Sequence, residues 1–422
     1  MLTLFQLSAA LLTLTAIFAW LNERFLSLPA NIGLLLMGLG SSLVLIAIEV
    51  LFPNTPVYNV LTNALQQIDF YEAVMHGMLA FLLFAGALHV DLGRLRSRAA
   101  AVGLLATGGV VISMFIVATG LWLAARGLNL PIGFAWCLVF GTLIAPTDPV
   151  AVLSTIRAVK VPESLETDIS GESLFNDGVA VVLFTIALQA ATAGGDDLGA
   201  STIARLLLLE AGGGAALGLV TGIVAYQAMR AIDDFSVEVM ISLALVTATY
   251  AIADQLHMSG PISVVVAGVL IGNRGASHAM SDVTRRYVFG FWTLIDEMLN
   301  AVLFLLIGLE VLVLRFDPSF GWIALIVIPL VTAARFISVA SAVTILSCWQ
   351  RFVPGTISVL TWGGLRGGIS VALALSLPDT EARPLILAGT YAVVLFTIIV
   401  QGLSLGRFVK RRGVSASTGN GG

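Results

Sequence analysis

The chain has 422 residues, 58% of them hydrophobic and 11% charged, with a mean hydropathy of +1.00 and a formal net charge of −4. Soluble domains carry about 25% charged residues, so this composition excludes an ordinary water-soluble enzyme and intrinsic disorder alike. The apolar residues run continuously, not in the alternating segments of an outer-membrane barrel, and such runs suit helices that cross ~30 Å of hydrocarbon.

The expected fold is an all-α polytopic membrane protein. In chain order the apolar runs predict thirteen spans, at residues 3–20, 30–51, 70–90, 99–124, 131–156, 169–193, 201–229, 236–254, 260–273, 287–313, 319–348, 355–378 and 384–408. The first lacks a basic leader and a small-residue cleavage site, and reads as a retained helix, not a signal peptide. The ninth is short, at ~21 Å by helical rise. With the N-terminus outside, fifteen Lys and Arg residues fall in loops on the cytoplasmic side. Four (Arg126, Arg205, Arg315 and Arg383) fall on the other side, and Arg335 and Arg366 lie within spans. That asymmetry follows the positive-inside rule and puts the C-terminus in the cytoplasm, the protein lying in the cell (inner or plasma) membrane.

On this count residues 1–193 carry spans 1–6, residues 201–229 form a linking span 7, and residues 236–410 carry spans 8–13. Residues 411–422 read as a disordered cytoplasmic tail, and 193–199 as the most flexible external loop. Cys137 and Cys348 lie in apolar runs without ligand spacing and are expected in the core, with no disulfide. The four histidines form no zinc motif. The net charge is scattered over short loops, and no nucleic-acid partner is expected.

Two spans carry helix breakers. In span 5, Pro146 and Pro149 flank Thr147 and Asp148; two prolines three apart remove two backbone donors and break the helix. In span 12, Gly363, Gly364, Gly367 and Gly368 surround Leu365 and Arg366. Unwound backbone at membrane depth needs protein or water around it. Spans 5 and 12 differ by seven and so enter from opposite sides, the arrangement of two inverted six-helix repeats with discontinuous crossing helices. Asp148 would compensate half-helix N-termini and Arg366 the C-termini.

Span 6 opens with Glu172, Ser173, Asn176 and Asp177, stacked on adjacent strips of one helix. A carboxylate at the membrane centre costs ~2.5 kcal/mol or more, so this cluster must face protein or water. One buried aspartate holds either a proton or a small hard cation, and that competition couples two gradients. Asp177, Ser173, Asp148 and a freed carbonyl near Thr147 supply hard oxygen ligands. Glu172 needs a cationic partner, with Arg335 expected in that place and Arg366 as the alternative. Glu72 and His76, four apart in span 3, lie along an ion path or form an interfacial cap. Glu297 and Asn300 in span 10 line a cytoplasmic funnel or mark its interfacial end. Glu210 and Glu310 have no assigned role.

The segments APTDPVAVLS, GESLFNDGVAVVLF and GGLRGGISVALALSLP, in this order, resemble the NhaP-type sodium/proton antiporters, prokaryotic relatives of the animal sodium/hydrogen exchangers in the monovalent cation:proton antiporter superfamily. The resemblance implies a core domain around spans 4–6 and 11–13 that moves against a dimerisation domain in a homodimer, serving pH homeostasis. It implies Asp177 as the proton and cation carrier, with Asp148, Ser173 and the Thr147 backbone as co-ligands and no cofactor beyond the transported ions. The Asn176–Asp177 pair is associated in such proteins with electroneutral exchange. A potassium/proton exchanger of the same architecture is the main alternative; an intramembrane aspartyl protease fits poorly, because neither Asp177 nor Asp148 lies in a GxGD context.

Overall fold

The computed structural model describes residues 3–52, 62, 67, 69–130, 132–159, 161–192, 205, 207–313 and 322–412. The expected external loop 193–199 and the tail beyond 412 lie outside the described residues. Among the described residues all regular structure is helical and no strand occurs.

Nine helical stretches among these residues are long and apolar enough to cross a membrane. They coincide with spans 1–4, 6–8, 11 and 13. Span 9 is helix Gly260–Leu270, continued by Ile271–Gly275 and Ala276–His278, so it is longer than its apolar run implied. Ser259 caps it, accepting from the Ile262 N–H, and Pro261 sits at the start, where a missing donor costs nothing. Span 10 is helix Asp282–Val313. Spans 5 and 12 are each two short helices, Phe134–Ile144 with Val150–Val159, and Thr356–Trp362 with Gly368–Leu375.

Span 6 corrects the sequence reading. Its helix begins at Glu163 and runs to Thr192, so Glu172 and Asp177 lie well inside the helix, not at its opening. Cys348 is a second correction. Cys137 is buried, but the last span-11 helix residue is Leu346 and Cys348 is exposed just beyond it.

Spans 4, 5, 6, 11, 12 and 13 pack mostly on one another, and spans 1, 2, 3, 7, 8, 9 and 10 do likewise. Within the first group two ion pairs with buried carboxylates tie helices together. Arg98, at the start of span 4, grips Asp168 of span 6 with Nε at 2.8 Å and Nη2 on the second oxygen. Arg335 of span 11 grips Glu172, one turn further along span 6. The outward faces of the long helices expose large apolar side chains such as Phe5, Val44 and Leu325, as lipid contact requires.

Candidate functional site

The two unwound segments meet. The Asp148 N–H donates to the Leu365 carbonyl at 2.8 Å, a backbone bond between the span-5 and span-12 breaks. The span-5 break leaves helix ends unsatisfied, and two side chains answer them. Asp148 Oδ1 accepts from the Val150 N–H at 2.8 Å, capping the second half of span 5. Arg366 Nη1 donates to the carbonyls of Ala145 and Pro146, at 2.6 and 2.8 Å, beyond the C-terminal end of the first half. Both charges therefore sit where the helix dipoles favour them.

Two glycines are required by close approach. A Cβ on Gly367 would fall within the Asp148 carboxylate, and one on Gly364 would lie 2.8 Å from Arg335 Nε. The glycine-rich spacing of span 12 thus lets an anion and a guanidinium touch the bare backbone.

Span 6 crosses this junction. Ser173 Oγ and Thr147 Oγ1 share a hydrogen bond of 3.1 Å, and Asn176 Nδ2 donates to Thr147 Oγ1 at 2.9 Å. Thr147, Ser173 and Asn176 are buried, and Asp177 is 7% exposed. Glu172 is bound on both oxygens by Arg335, with Nη2–Oε2 at 2.9 Å, and Arg335 also donates to the Leu360 carbonyl. Arg335, not Arg366, is the partner of Glu172.

A cavity of about 700 Å³ reaches the junction, and its walls include Asp177, Asp148, Thr147, Asp296, Glu297 and Asn300. At its rim Arg94 pairs with Glu163 at 3.2 Å. Glu72 and His76 pair with each other at 3.0 Å and are largely exposed; they do not line this cavity. The structure thus brings Asp148, Thr147, Ser173, Asn176 and Asp177 together, holds Glu172, Arg335 and Arg366 beside them, sets Glu297 in the cavity wall and leaves Glu72 and His76 apart.

Sequence reasoning missed two features. Asp296 lines the cavity next to Glu297 and accepts from Asn300 Nδ2 at 3.0 Å; its four-residue spacing to Asn300 was a readable signal. The Arg98–Asp168 pair was also missed, although Asp168 stands one helical turn before Glu172.

Comparison with known proteins agrees with this architecture. The profile of the sodium/hydrogen exchanger transmembrane family matches residues 11–411. The Na(+)/H(+) antiporter NhaP of Pseudomonas aeruginosa is 46% identical over 96% of both chains. The Na(+)/H(+) antiporter NhaH of Halobacillus dabanensis is 36% identical over 93% of this chain and 94% of that one. The solved structure of the sodium proton antiporter MjNhaP1 from Methanocaldococcus jannaschii shares the fold, with a TM-score of 0.75 at 20% identity over 96% of this chain and 97% of that chain. The chain belongs to the transmembrane sodium/hydrogen exchanger family, and the relatives named above are antiporters, which are transporters and not enzymes.

Proposed function

We propose that this chain is a secondary antiporter exchanging Na⁺ or Li⁺ for H⁺, one for one and without net charge movement. The observation that carries this reading is a cavity ending on two carboxylates, Asp177 and Asp148, where two interrupted helices meet. Of the acids near the crossing, Glu172 is neutralised by Arg335 and Asp148 serves a helix N-terminus. Asp177 is then the group that alternates between a proton and a cation, and it cannot hold both. Asp148, the Ser173 hydroxyl and Thr147 complete the oxygen set that a hard cation needs. Asn176, a neutral amide, adds no charge, so the proton-loaded and sodium-loaded forms carry the same charge.

Asp296, Glu297 and Asn300 form the path by which cations reach this site, from the cytoplasmic side on the positive-inside reading. The ion pairs joining spans 4, 6 and 11, with the Arg335 hydrogen bond to the Leu360 carbonyl of span 12, support a core domain of spans 4–6 and 11–13 moving as one body. The remaining spans form the static, dimerising part of a homodimer in the cell inner membrane. The relatives named sodium antiporters favour Na⁺ over the potassium alternative.

The test is proton movement in proteoliposomes on addition of Na⁺, Li⁺, K⁺ or Rb⁺, with voltage set by valinomycin and potassium. Na⁺ and Li⁺ should move protons at a rate that voltage does not change, although voltage is worth ~2.3 kcal/mol per charge per 100 mV. Asp177→Asn should abolish the signal. A response to K⁺ alone, a transport current, or normal exchange by Asp177→Asn would each contradict the reading.

A further inference from the structure

We propose that Ser370 is a further ligand of the transported cation, and that it strengthens the preference for small, tightly hydrated ions. The inference rests on the cation-exchange reading above and adds a residue to it. Ser370 lies in the first turn of Gly368–Leu375, the helix that follows the span-12 break. Hydroxyls on apolar helices are usually answered by a carbonyl three or four residues back. Here Thr361 donates to the Ile357 carbonyl at 2.7 Å, Ser376 to Leu373 at 2.8 Å and Thr390 to Ile386 at 2.8 Å. For Ser370 the corresponding residues are Gly367 and Arg366, which belong to the unwound segment, with Gly367 extended at φ −118° and ψ −162°. The helix ladder therefore offers Ser370 no acceptor.

The side chain is 1% exposed, and its hydroxyl has no hydrogen-bond partner among the described residues. It nevertheless lies in the wall of the cavity that holds Asp177 and Asp148. A buried polar group left unpaired is destabilising, so an occupant that engages this oxygen recovers that loss.

The surroundings select a cation as the occupant. A helix N-terminus by itself favours an anion, but the Asp148 carboxylate packed against Gly367 already meets that demand. Ser173 and Thr147 have each committed part of their hydroxyl capacity to one another. An uncommitted oxygen in the same cavity raises the number of ligands that replace the ion's water. Replacing water matters most for the ions that bind it most strongly, so the loss of Ser370 should harm Li⁺ and Na⁺ more than K⁺.

The experiment uses the purified full-length chain, with Ser370→Ala and Ser370→Cys as variants. The thiol of Ser370→Cys fills the space but is too soft to ligate an alkali cation. Cation-dependent thermal stabilisation in detergent reads binding without transport, and proteoliposome assays give KM and maximal rate. Both variants should bind Na⁺ and Li⁺ about tenfold more weakly, the worth of one such contact. KM for Na⁺ should rise by the same factor, with the rate at saturating cation retained and K⁺ binding little changed. Unchanged Na⁺ and Li⁺ affinity would overturn the proposal, as would wild-type affinity in Ser370→Cys or a fall in maximal rate at constant KM. A wild-type chain that binds Na⁺ yet moves no protons would defeat the exchange reading alone, since the Ser370 assignment is judged on binding.

Discussion

Glu172 and Arg335 show what a charge needs in order to exist inside a membrane helix bundle. Glu172 is 1% and Arg335 6% exposed, both carboxylate oxygens are engaged, and the guanidinium reaches on to the Leu360 carbonyl. Removing one member strands the other, which costs ~3–5 kcal/mol in comparable buried pairs. Glu172→Ala and Arg335→Ala should each lower stability by that amount in thermal or denaturant unfolding. The double replacement by apolar residues should recover most of it. A double-mutant cycle with no coupling between positions 172 and 335 would contradict the pairing. This pair was legible in the sequence because basic residues inside spans are scarce, which left only Arg335 and Arg366 as partners. Arg98–Asp168 was not legible for the opposite reason. Arg98 stands beside Arg94 and Arg96 in a loop-like cluster, where a positive charge has an ordinary topological explanation.

At the scale of elements, the two broken helices were readable because proline and glycine act locally. Pro146 and Pro149 cannot continue a backbone ladder whatever surrounds them. What the sequence left open was how the breaks are mended: the Asp148–Leu365 backbone bond and the Arg366 contacts to Ala145 and Pro146 join residues more than two hundred positions apart. The start of span 6 was misjudged because Glu163, Glu166 and Asp168 look like a polar loop. Asp168 is in fact buried against Arg98, and Glu163 pairs with Arg94. Asp296 and Glu297 both line the cavity although adjacent helix residues point about 100° apart, so the sequence signal for Asp296 is its four-residue spacing to Asn300. Among the glycines of the span-12 break, the tightest approach is Gly367 against Asp148. Gly367→Ala should force the carboxylate away from the helix end, cost about 1–3 kcal/mol by overpacking and sharply raise the KM for Na⁺. Gly103→Ala, at a position with nothing within 4 Å of the added carbon, is the control and should leave both stability and KM unchanged. Equal effects from the two variants would contradict the assigned contact.

For the whole molecule, two groups of spans pack mostly within themselves, and the cavity runs down to the crossing that belongs to one of them. Long apolar runs made the multi-pass character plain, whereas the grouping of spans rests on contacts that no local pattern announces. The central claim is that one carboxylate, Asp177, is shared in turn by a proton and a cation. Sodium binding to the purified protein should therefore release a proton from the same group. The most direct measurement is calorimetric titration of Na⁺ in buffers of different ionisation enthalpy near the pH at which the site is protonated. The account predicts that Na⁺ binding releases close to one proton per ion in the wild-type chain, and that Asp177→Asn shows neither the binding nor the release. Sodium binding without proton release, or undiminished release in Asp177→Asn, would contradict it.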